Sequence, residues 1–340
     1  MLLPGGTSLS SLWQVHEPPA DFGDAELSGA LRMHWNLIAA SARHLPVGFG
    51  GFHWRVTDDG GRLWFATASA LGGDDDFADL TAAMSAASAL ADLGLDFVVA
   101  PVRSASGQSA VRVRPGYALT LYRYADGTPG HWGDALGHAD RETVVRMLAA
   151  LHRIPVALCT PPVRSMALSG ADVLQAALRE RDTRWDGGPF SEPARTVVSG
   201  HADGLQGALG SFTQLAAQVA AGAAPVITHG EPHAGNLVRQ GTRFLLVDWD
   251  TVGLALPERD LWWVLSPSGD EARLYASLTG RHVSPTAVDL FRLRWDLDDI
   301  CLILAELRAP HLRNRDTEVA FAGLADAVRR VAAQPRHSGA

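Results

Sequence analysis

The chain has 340 residues, of which 47% are hydrophobic and 19% charged, so it is long enough to bury a sizeable core and to form two domains. Its formal net charge of −8 argues against a nucleic-acid-binding surface. All 29 Lys and Arg positions are arginine, which excludes any mechanism that needs a lysine.

The chain carries few signs of an oxidising or membrane environment. Cys159 and Cys301 are its only cysteines and stand in apolar contexts, which favours two buried free thiols in a reducing cytosol over a disulfide. Residues 1–19 lack the basic and apolar segments of a signal peptide, and no apolar run approaches the roughly 18 residues of a membrane span. We expect a cytoplasmic protein, a monomer or weak dimer, that binds neither membrane nor nucleic acid.

The first part of the chain is predicted to be rich in strands. Apolar residues at helical spacing predict helices over 24–37 and 76–93. The predicted strands cover 52–57, 62–68, 97–102 and 109–124. The turn 58–61 joins the first two strands in a hairpin. We expect a β-rich domain over residues 1–125.

Helical periodicity dominates the second part of the chain. The predicted helices cover 140–154, 170–181, 194–221, 287–308 and 317–333. Short strands interrupt them near residue 240. We expect a helical domain over residues 126–340, and an α+β class for the whole chain.

Residues 227–250, ITHGEPHAGNLVRQGTRFLLVDWD, concentrate polar groups between apolar runs. One interpretation is a zinc site on His229 and His233. Pro232 lies between them, so this segment is a loop and not the helix that such a spacing needs. The patterns H-E-x-x-H and P-C-x-x-C are also absent.

The second interpretation is a phosphoryl-transfer site. Asn236 opens a strand-like segment, and a hairpin centred near 240–241 would return Asp248 beside it, with Glu231 in the preceding loop. An amide oxygen and a carboxylate suit Mg²⁺, and a nearby carboxylate suits an acceptor hydroxyl. The alternative without function is a polar hairpin end with self-capping side chains.

These residues carry a family resemblance. The runs HGEPHAGN (229–236), DWD (248–250) and PERDLW (257–262) resemble the protein-kinase-like antibiotic phosphotransferases. PVGFGGFHWRV (46–56) and GLDFVVAP (94–101) are similar to the spectinomycin phosphotransferase type of that family. The resemblance implies a two-lobed fold with a small β-rich N-lobe and a larger helical C-lobe.

The resemblance also implies roles for individual residues. Glu231 would orient and deprotonate the acceptor hydroxyl, Asn236 and Asp248 would hold Mg²⁺, His229 would brace the loop, and Asp260 would support it. Gly48, Gly50 and Gly51 would let the backbone approach phosphates, although an ordinary turn explains them equally well. Tyr122 and Tyr124 would belong to a nucleotide-binding hinge, or else be plain core or surface aromatics.

The sequence departs from the family pattern at two positions. The family has Asp where this chain has Glu231, whose longer side chain still reaches a hydroxyl if the loop lies further back. The family lysine on the third strand would fall near Thr67, and the chain has no lysine. We expect Arg55, on the preceding strand, to help hold the phosphates.

The acceptor site is predicted in the helical domain. On the 287–308 helix, Trp295, Asp299 and Glu306 share one stripe at about 100° per residue. An aromatic ring with two carboxylates suits a cationic acceptor. A solvated acidic face with a core tryptophan is the alternative.

The predicted function is a small-molecule kinase. It would transfer the γ-phosphoryl of ATP, or alternatively GTP, to a hydroxyl of an aminoglycoside-like or aminocyclitol-like antibiotic, giving resistance or self-protection. A metabolite kinase acting on an amino alcohol or sugar shares the same loop. A nucleotide-binding pseudoenzyme is the alternative from outside the enzymes.

Overall fold

A computed structural model describes residues 18–19, 21–48, 51–219 and 224–333. The chain forms two compact units, Met1–Arg164 with Pro225–His282 and Ser165–Ala224 with Val283–Ala340. The predicted lobe boundary at residues 125 and 126 divides the chain differently and stays a prediction. Residues 1–17, on which the expectation of no signal peptide depends, lie outside the described residues, and so does Gly50.

The secondary structure alternates between the two classes of element. The helices are α1 (Asp24–Trp35), α2 (Asp74–Asp92), α3 (His138–His152), α4 (Ala171–Arg179), α5 (Ser191–Gly200), α6 (Ala202–Val219), α7 (Glu258–Leu261), α8 (Asp270–Thr279), α9 (Pro285–Arg308) and α10 (Arg315–Ala333). The strands are β1 (Ala39–Leu45), β2 (Gly51–Asp58), β3 (Leu63–Ala70), β4 (Val111–Arg114), β5 (Tyr117–Arg123), β6 (Thr128–Pro129), β7 (Val226–Thr228), β8 (Leu237–Gln240), β9 (Arg243–Leu246) and β10 (Gly253–Ala255). The predicted α+β class is confirmed.

The first unit contains a five-stranded antiparallel sheet in the order β1-β2-β3-β5-β4. The predicted hairpin is β2 and β3, and its turn is fixed by buried Asp58, which accepts hydrogen bonds from the Arg62 backbone (2.8 Å) and the Trp64 indole (3.0 Å). One face of the sheet is apolar and packs in a core with α1, through residues such as Trp54, Ala66 and Leu121. Because side chains alternate along a strand, the residues between them occupy the opposite face.

Three shorter strand pairings lie elsewhere in the first unit. The predicted hairpin near residue 240 is present as β8 and β9, with Gly241 at φ +63° in its turn. β6 adds to the free edge of β8, and β7 pairs antiparallel with β10. These pairings bring the segments 229–236 and 247–252 together.

The second unit contains only helices among its described residues: α4, α5, α6, α9 and α10. The long helix α9 begins where the Ser284 hydroxyl accepts the Ala287 backbone N–H (3.3 Å) and Pro285 occupies the first turn. Its buried residues include Leu297, Ile300 and Leu304, which form one side of this helical core. Cys301 on this helix and Cys159 in the first unit are both buried and free, as predicted.

The structure corrects several predicted elements. Residues 97–102 do not form a strand; Val98 makes a single bridge to Leu246 of β9. The predicted helix 194–221 is two helices, α5 and α6, divided at His201. Strand β1 and helices α7 and α8 were not predicted. The run AASARHL of β1 has little intrinsic strand preference and is held by its pairing with β2.

Candidate active site

The loop between β7 and β8 is held in place by a buried carboxylate. Asp260 on α7 accepts the backbone N–H of His229 (2.8 Å) and of Gly230 (2.6 Å). Gly230 has φ +106°, and a Cβ at this position would collide with the Arg259 guanidinium, so only glycine fits. The backbone that leads to Glu231 is therefore fixed by its contacts with α7.

A chain of hydrogen bonds supports Asp260 in turn. The hydroxyl of Tyr275 donates to His152 Nδ1 (2.9 Å), and His152 Nε2 donates to Asp260 (3.0 Å). Burial opposes ionisation of Asp260, but the hydrogen bond from His152 and the charges around it hold the pKa of Asp260 below its ordinary value. Asp260 therefore remains an anion and an acceptor.

His229 uses both ring nitrogens within the protein. Its Nε2 donates to the Val247 carbonyl (2.9 Å), and its Nδ1 accepts the backbone N–H of Glu231 (3.2 Å). The ring packs edge-on against Trp249, and burial lowers the pKa of His229 to about 4. His229 therefore braces the loop as a neutral ring with no lone pair left for a metal.

His233 is also a neutral, packed side chain. Its ring lies against Trp132 (4.5 Å between centroids) and Trp263 (5.1 Å), and burial lowers the pKa of His233 to about 3. Over the described ranges, no group of three or more His, Cys, Asp or Glu is arranged to hold a metal ion. The geometry therefore gives no support to a zinc site on His229 and His233.

Asn236 presents its amide oxygen beside the end of the hairpin. Its Nδ2 donates to the Glu231 carbonyl (2.9 Å) and lies 3.3 Å from His233 Nε2, so Oδ1 is the atom with lone pairs to spare. The Val247 N–H donates to the Asn236 carbonyl (3.0 Å), which continues the β8–β9 ladder by one more pair. Asp248 follows this pair directly in the chain.

Asp248 has an unusual backbone and a crowded electrostatic environment. Its φ of +65° lies in the left-handed region, which a residue other than glycine adopts at a cost. Partial desolvation, repulsion from Asp250 and repulsion from Glu231 raise the pKa of Asp248 well above its ordinary value. Desolvation also raises the pKa of Asp250, against the attraction of Arg164. A cation bound beside the neighbouring Asp248 and Asp250 carboxylates would relieve this repulsion.

Arg164 holds the segment that follows Asp248. Its guanidinium donates to the carbonyls of Asp250 (3.1 Å), Thr251 (3.2 Å) and Val252 (3.0 Å) and to the carboxylate of Asp79 on α2 (2.6 Å). A Cβ on the neighbouring Gly253 would overlap the Arg164 side chain, which explains the glycine there. Arg164 therefore ties α2 to the carboxylate segment.

The oxygen donors fit a hard divalent cation. Mg²⁺ and Ca²⁺ take carboxylate and amide oxygens, and Asn236 Oδ1 with the Asp248 and Asp250 carboxylates offers that chemistry. Glu231 lies in the adjacent loop, its side chain 30% exposed and its carboxylate 3.9 Å from His233 Nε2. An exposed carboxylate thus lies in the loop beside oxygen donors of the kind that a divalent cation takes.

Comparison with known proteins identifies the family. The profile of the phosphotransferase enzyme family (APH) matches residues 42–295, which is most of the chain. The chain belongs to the phosphotransferase enzyme family. It is a phosphotransferase of the kind that acts on hydroxyl groups, as the resemblance in the sequence predicted. A search of curated protein sequences finds no match.

Solved structures of the family share the fold of this phosphotransferase. A spectinomycin phosphotransferase in complex with ADP and spectinomycin superposes with a TM-score of 0.72 at 14% identity, covering 91% of this chain and 97% of that one. Amicoumacin kinase in complex with AMP-PNP, Ca²⁺ and its antibiotic gives 0.59 at 14% identity, covering 92% and 93%. Ethanolamine kinase from Plasmodium vivax gives 0.50 at 10% identity, covering 86% and 84%. At these identities the likeness establishes the protein-kinase-like fold alone, which confirms the predicted architecture.

The predicted nucleotide-binding residues of this phosphotransferase lie on or next to the five-stranded sheet. Gly48 has φ +69°, and Gly51 is the buried first residue of β2. Arg55 is an exposed residue of β2, opposite Phe65 of β3. Tyr122 is the second-last residue of β5, with its hydroxyl 3.1 Å from Met84 Sδ on α2, and Tyr124 lies at the surface just after the strand. Gly50, also predicted, lies outside the described residues.

The predicted acceptor residues belong to the second unit. Trp295 and Asp299 are half-buried on α9, and Glu306 is exposed on the same helix. Partial desolvation by neighbouring atoms raises the pKa of Glu306 above its ordinary value. Their role in acceptor binding stays a prediction.

In the part of the chain that the structure describes, no helix is both long enough and apolar enough to cross a membrane.

Sequence reasoning did not single out several residues of the site. Arg164 lies in an irregular segment with no motif, and His152 lies inside a helix whose periodicity predicted only packing. Asp250 was visible in the run DWD but was given no role of its own. An acid two residues from a predicted metal ligand is a signal that was available in the sequence.

Proposed function

We propose that this phosphotransferase transfers the γ-phosphoryl group of a nucleoside triphosphate to a hydroxyl of a small-molecule antibiotic. The observation that carries the proposal is the convergence of Asp248, Asn236 and Glu231 at the end of the β8–β9 hairpin, on a loop fixed by Asp260. ATP is the donor that we propose, and GTP is its alternative.

In the proposed reaction, Glu231 accepts a hydrogen bond from the acceptor hydroxyl and takes its proton. The oxygen forms a bond to the γ-phosphorus while the bond from that phosphorus to the β,γ-bridging oxygen breaks, and the nucleoside diphosphate leaves with the electron pair. Asn236 and Asp248, with Asp250, would hold Mg²⁺, which offsets the charge of the phosphates when bound. His229 and Asp260 keep the Glu231 backbone in position.

A cationic acceptor is the finer part of the proposal. Its support is the stripe on α9 with Trp295, Asp299 and Glu306, an aromatic ring and two acids. A metabolite kinase acting on an amino alcohol is the second candidate. Its support is the fold that this chain shares with an ethanolamine kinase.

The test is nucleoside diphosphate release by the purified protein with Mg²⁺ and ATP or GTP. The acceptor panel contains aminoglycosides, spectinomycin, macrolides, amino alcohols and sugars. Turnover with an antibiotic, lost in Glu231→Gln, supports the proposal, and turnover with an amino alcohol or sugar alone favours the metabolite kinase. Nucleotide binding without turnover on the whole panel contradicts both and leaves a pseudoenzyme.

A further inference from the structure

Three polar side chains form a row across the five-stranded sheet. His53 on β2 stands opposite Thr67 on β3, and Thr67 stands opposite Thr120 on β5. His53 Nδ1 lies 3.0 Å from the Thr67 hydroxyl, and the Thr120 hydroxyl donates to the Thr67 carbonyl (3.5 Å).

The row lies on the face of the sheet opposite the α1 core. Trp54, Ala66 and Leu121, which alternate with the row along the strands, pack in the core with α1 on the other face. Tyr122, two residues beyond Thr120, shares the face of the row. Burial raises the pKa of the Tyr122 hydroxyl, and the negative charges of Asp248 and Asp250 add to that rise. Tyr122, on the face of the row, is thus near enough to Asp248 and Asp250 for their charges to affect it.

His53 and Thr67 together keep one proton to donate. A neutral imidazole has one N–H and threonine has one O–H, and the bond between the two side chains uses only one of these protons. If the hydroxyl donates to Nδ1, the outward donor is Nε2–H; if Nδ1–H donates, the outward donor is the hydroxyl. His53 Nε2 makes no hydrogen bond to any residue that the structure describes.

Gly48 and Gly51 lie close against this pair. A Cβ on Gly48 would lie 3.0 Å from His53 Nε2, and a Cβ on Gly51 would lie 3.2 Å from the Thr67 methyl group. The left-handed φ of Gly48 makes a side chain there unfavourable as well. The polar end of the His53–Thr67 pair thus lies against Gly48, and its methyl end lies against Gly51.

We propose that His53 and Thr67 bind the phosphates of the nucleotide as uncharged donors, at the position where the family pattern places a lysine. The proposal rests on the proposed function and names residues of the same site. Arg55 lies two residues from His53 on the same face but stands opposite Phe65, two residue pairs further along the hairpin than the His53–Thr67 pair. The His53–Thr67 pair therefore occupies the position itself.

An uncharged donor pair has one direct consequence. It stabilises phosphate by hydrogen bonds but does not neutralise it, so the charge must be offset by the divalent cation at Asp248. Nucleotide affinity in this protein should therefore depend strongly on the cation.

The test measures ATP and adenosine affinity by calorimetric titration, with Mg²⁺ present throughout. His53→Phe keeps a ring to stack on Phe65, which lies 5.2 Å away, and removes both nitrogens. Thr67→Val keeps the branched shape and removes the hydroxyl. Each variant should weaken ATP binding about 10-fold or more, since hydrogen bonds to charged groups have that scale, and should leave adenosine affinity unchanged. Thr67→Ser should retain wild-type ATP affinity.

Thr57→Val is the matched control, because Thr57 lies further along β2 on the same face, and its ATP affinity should equal the wild type. Unchanged ATP affinity in both His53→Phe and Thr67→Val overturns the inference. Equal losses for ATP and adenosine also overturn it, because the effect would then not lie at the phosphates. A wild type that binds ATP but phosphorylates no acceptor contradicts the proposed function and leaves this inference standing. A wild type that binds no ATP overturns both.

Discussion

His152 places its Nε2 3.0 Å from the carboxylate of Asp260, and both side chains are completely buried. The same carboxylate accepts the backbone N–H groups of His229 and Gly230. One anion therefore joins α3, α7 and the loop that carries Glu231. The position of the proposed base depends on a residue 29 positions later in the chain, through backbone contacts alone.

Asp260→Asn should destabilise the protein by roughly 3 kcal/mol or more, because an amide cannot accept from all three donors and its own N–H groups would face them. Urea unfolding followed by circular dichroism measures the change. Asp59→Asn, at an exposed turn, is the control and should remain within about 0.5 kcal/mol of the wild type. Equal stabilities for the two variants would contradict the role of Asp260.

Glu231→Gln should lower kcat by roughly 10²-fold or more while nucleotide affinity stays the same, because the amide cannot accept the proton of the acceptor hydroxyl. Glu231→Asp should retain part of the activity. Steady-state kinetics with an accepted substrate from the panel gives both values, and Glu318→Gln, an exposed acid, is the control. A glutamine variant with unchanged turnover would remove Glu231 from the mechanism.

Asp248→Asn should abolish Mg²⁺-dependent nucleotide binding, because a hard cation needs the anionic oxygen. Chelation of divalent cations should reduce wild-type affinity to the level of the variant. Titrations of both proteins with ATP, with and without Mg²⁺, make the comparison. Stoichiometric zinc in the purified wild type, lost in His229→Ala, would refute the oxygen-based metal site.

The sequence predicted the parts of the fold that local patterns determine. The β2–β3 hairpin and the β8–β9 hairpin each have a turn with its own residues, and α9 has a serine cap. The sequence did not predict β1, whose alanines pair only because β2 lies beside them. It also did not predict the end of α5 at His201, where Gly200 is the only helix-breaking residue. Long-range partners left no local pattern.

The candidate site likewise combines residues that local sequence patterns predicted with residues that only long-range contacts position. Glu231, Asn236 and Asp248 lie within 18 residues, so turn chemistry alone brought them together. The His53–Thr67 pairing depends on the register of β2 against β3. A change of that register by two residues would place Arg55 instead of His53 opposite Thr67, the position near which the family has its lysine. Arg164 reaches its partners across more than 80 residues, and only the folded chain shows them.

Glu271 on α8 provides a pH-dependent prediction. Burial opposes its ionisation, but hydrogen bonds from Arg141 (2.6 Å) and Ser266 hold the pKa of Glu271 at about 2, against an ordinary value of 4.5. The pKa is depressed on folding, so its contribution to stability is present above pH 4.5 and is lost as pH falls towards 2. A shift of this size corresponds to about 3 kcal/mol.

Glu271→Gln should therefore flatten the decline of unfolding free energy between pH 4.5 and pH 2, and should lower stability at pH 7. Denaturant unfolding at a series of pH values gives the slope. Glu142→Gln, a partly exposed acid on α3, should keep the wild-type slope. A Glu271→Gln profile parallel to the wild type would show that the depressed pKa does not contribute.

Arg164 should act as a positioning residue for the Asp248–Asp250 segment. Arg164→Ala removes its ion pair with Asp79 and also its hydrogen bonds to the carbonyls of Asp250, Thr251 and Val252, whereas Asp79→Ala removes only the ion pair. The Asp79 carboxylate is about half exposed, so the pair alone contributes on the order of 1 kcal/mol or less.

We expect Arg164→Ala to weaken Mg²⁺–nucleotide binding at least 10-fold and Asp79→Ala to change it less than 3-fold, roughly the scale of lost charged hydrogen bonds against an exposed pair. Arg164→Lys keeps the charge but not the planar fork, so it should recover only part of the loss. Titration with Mg²⁺–ATP and, separately, with adenosine distinguishes these cases. A general loss of structure would weaken the binding of both ligands. Full recovery by lysine would mean that Arg164 acts by charge alone, and equal effects of the two alanine variants would mean that the tie to α2, not the grip on the carbonyls, sets the geometry of the segment.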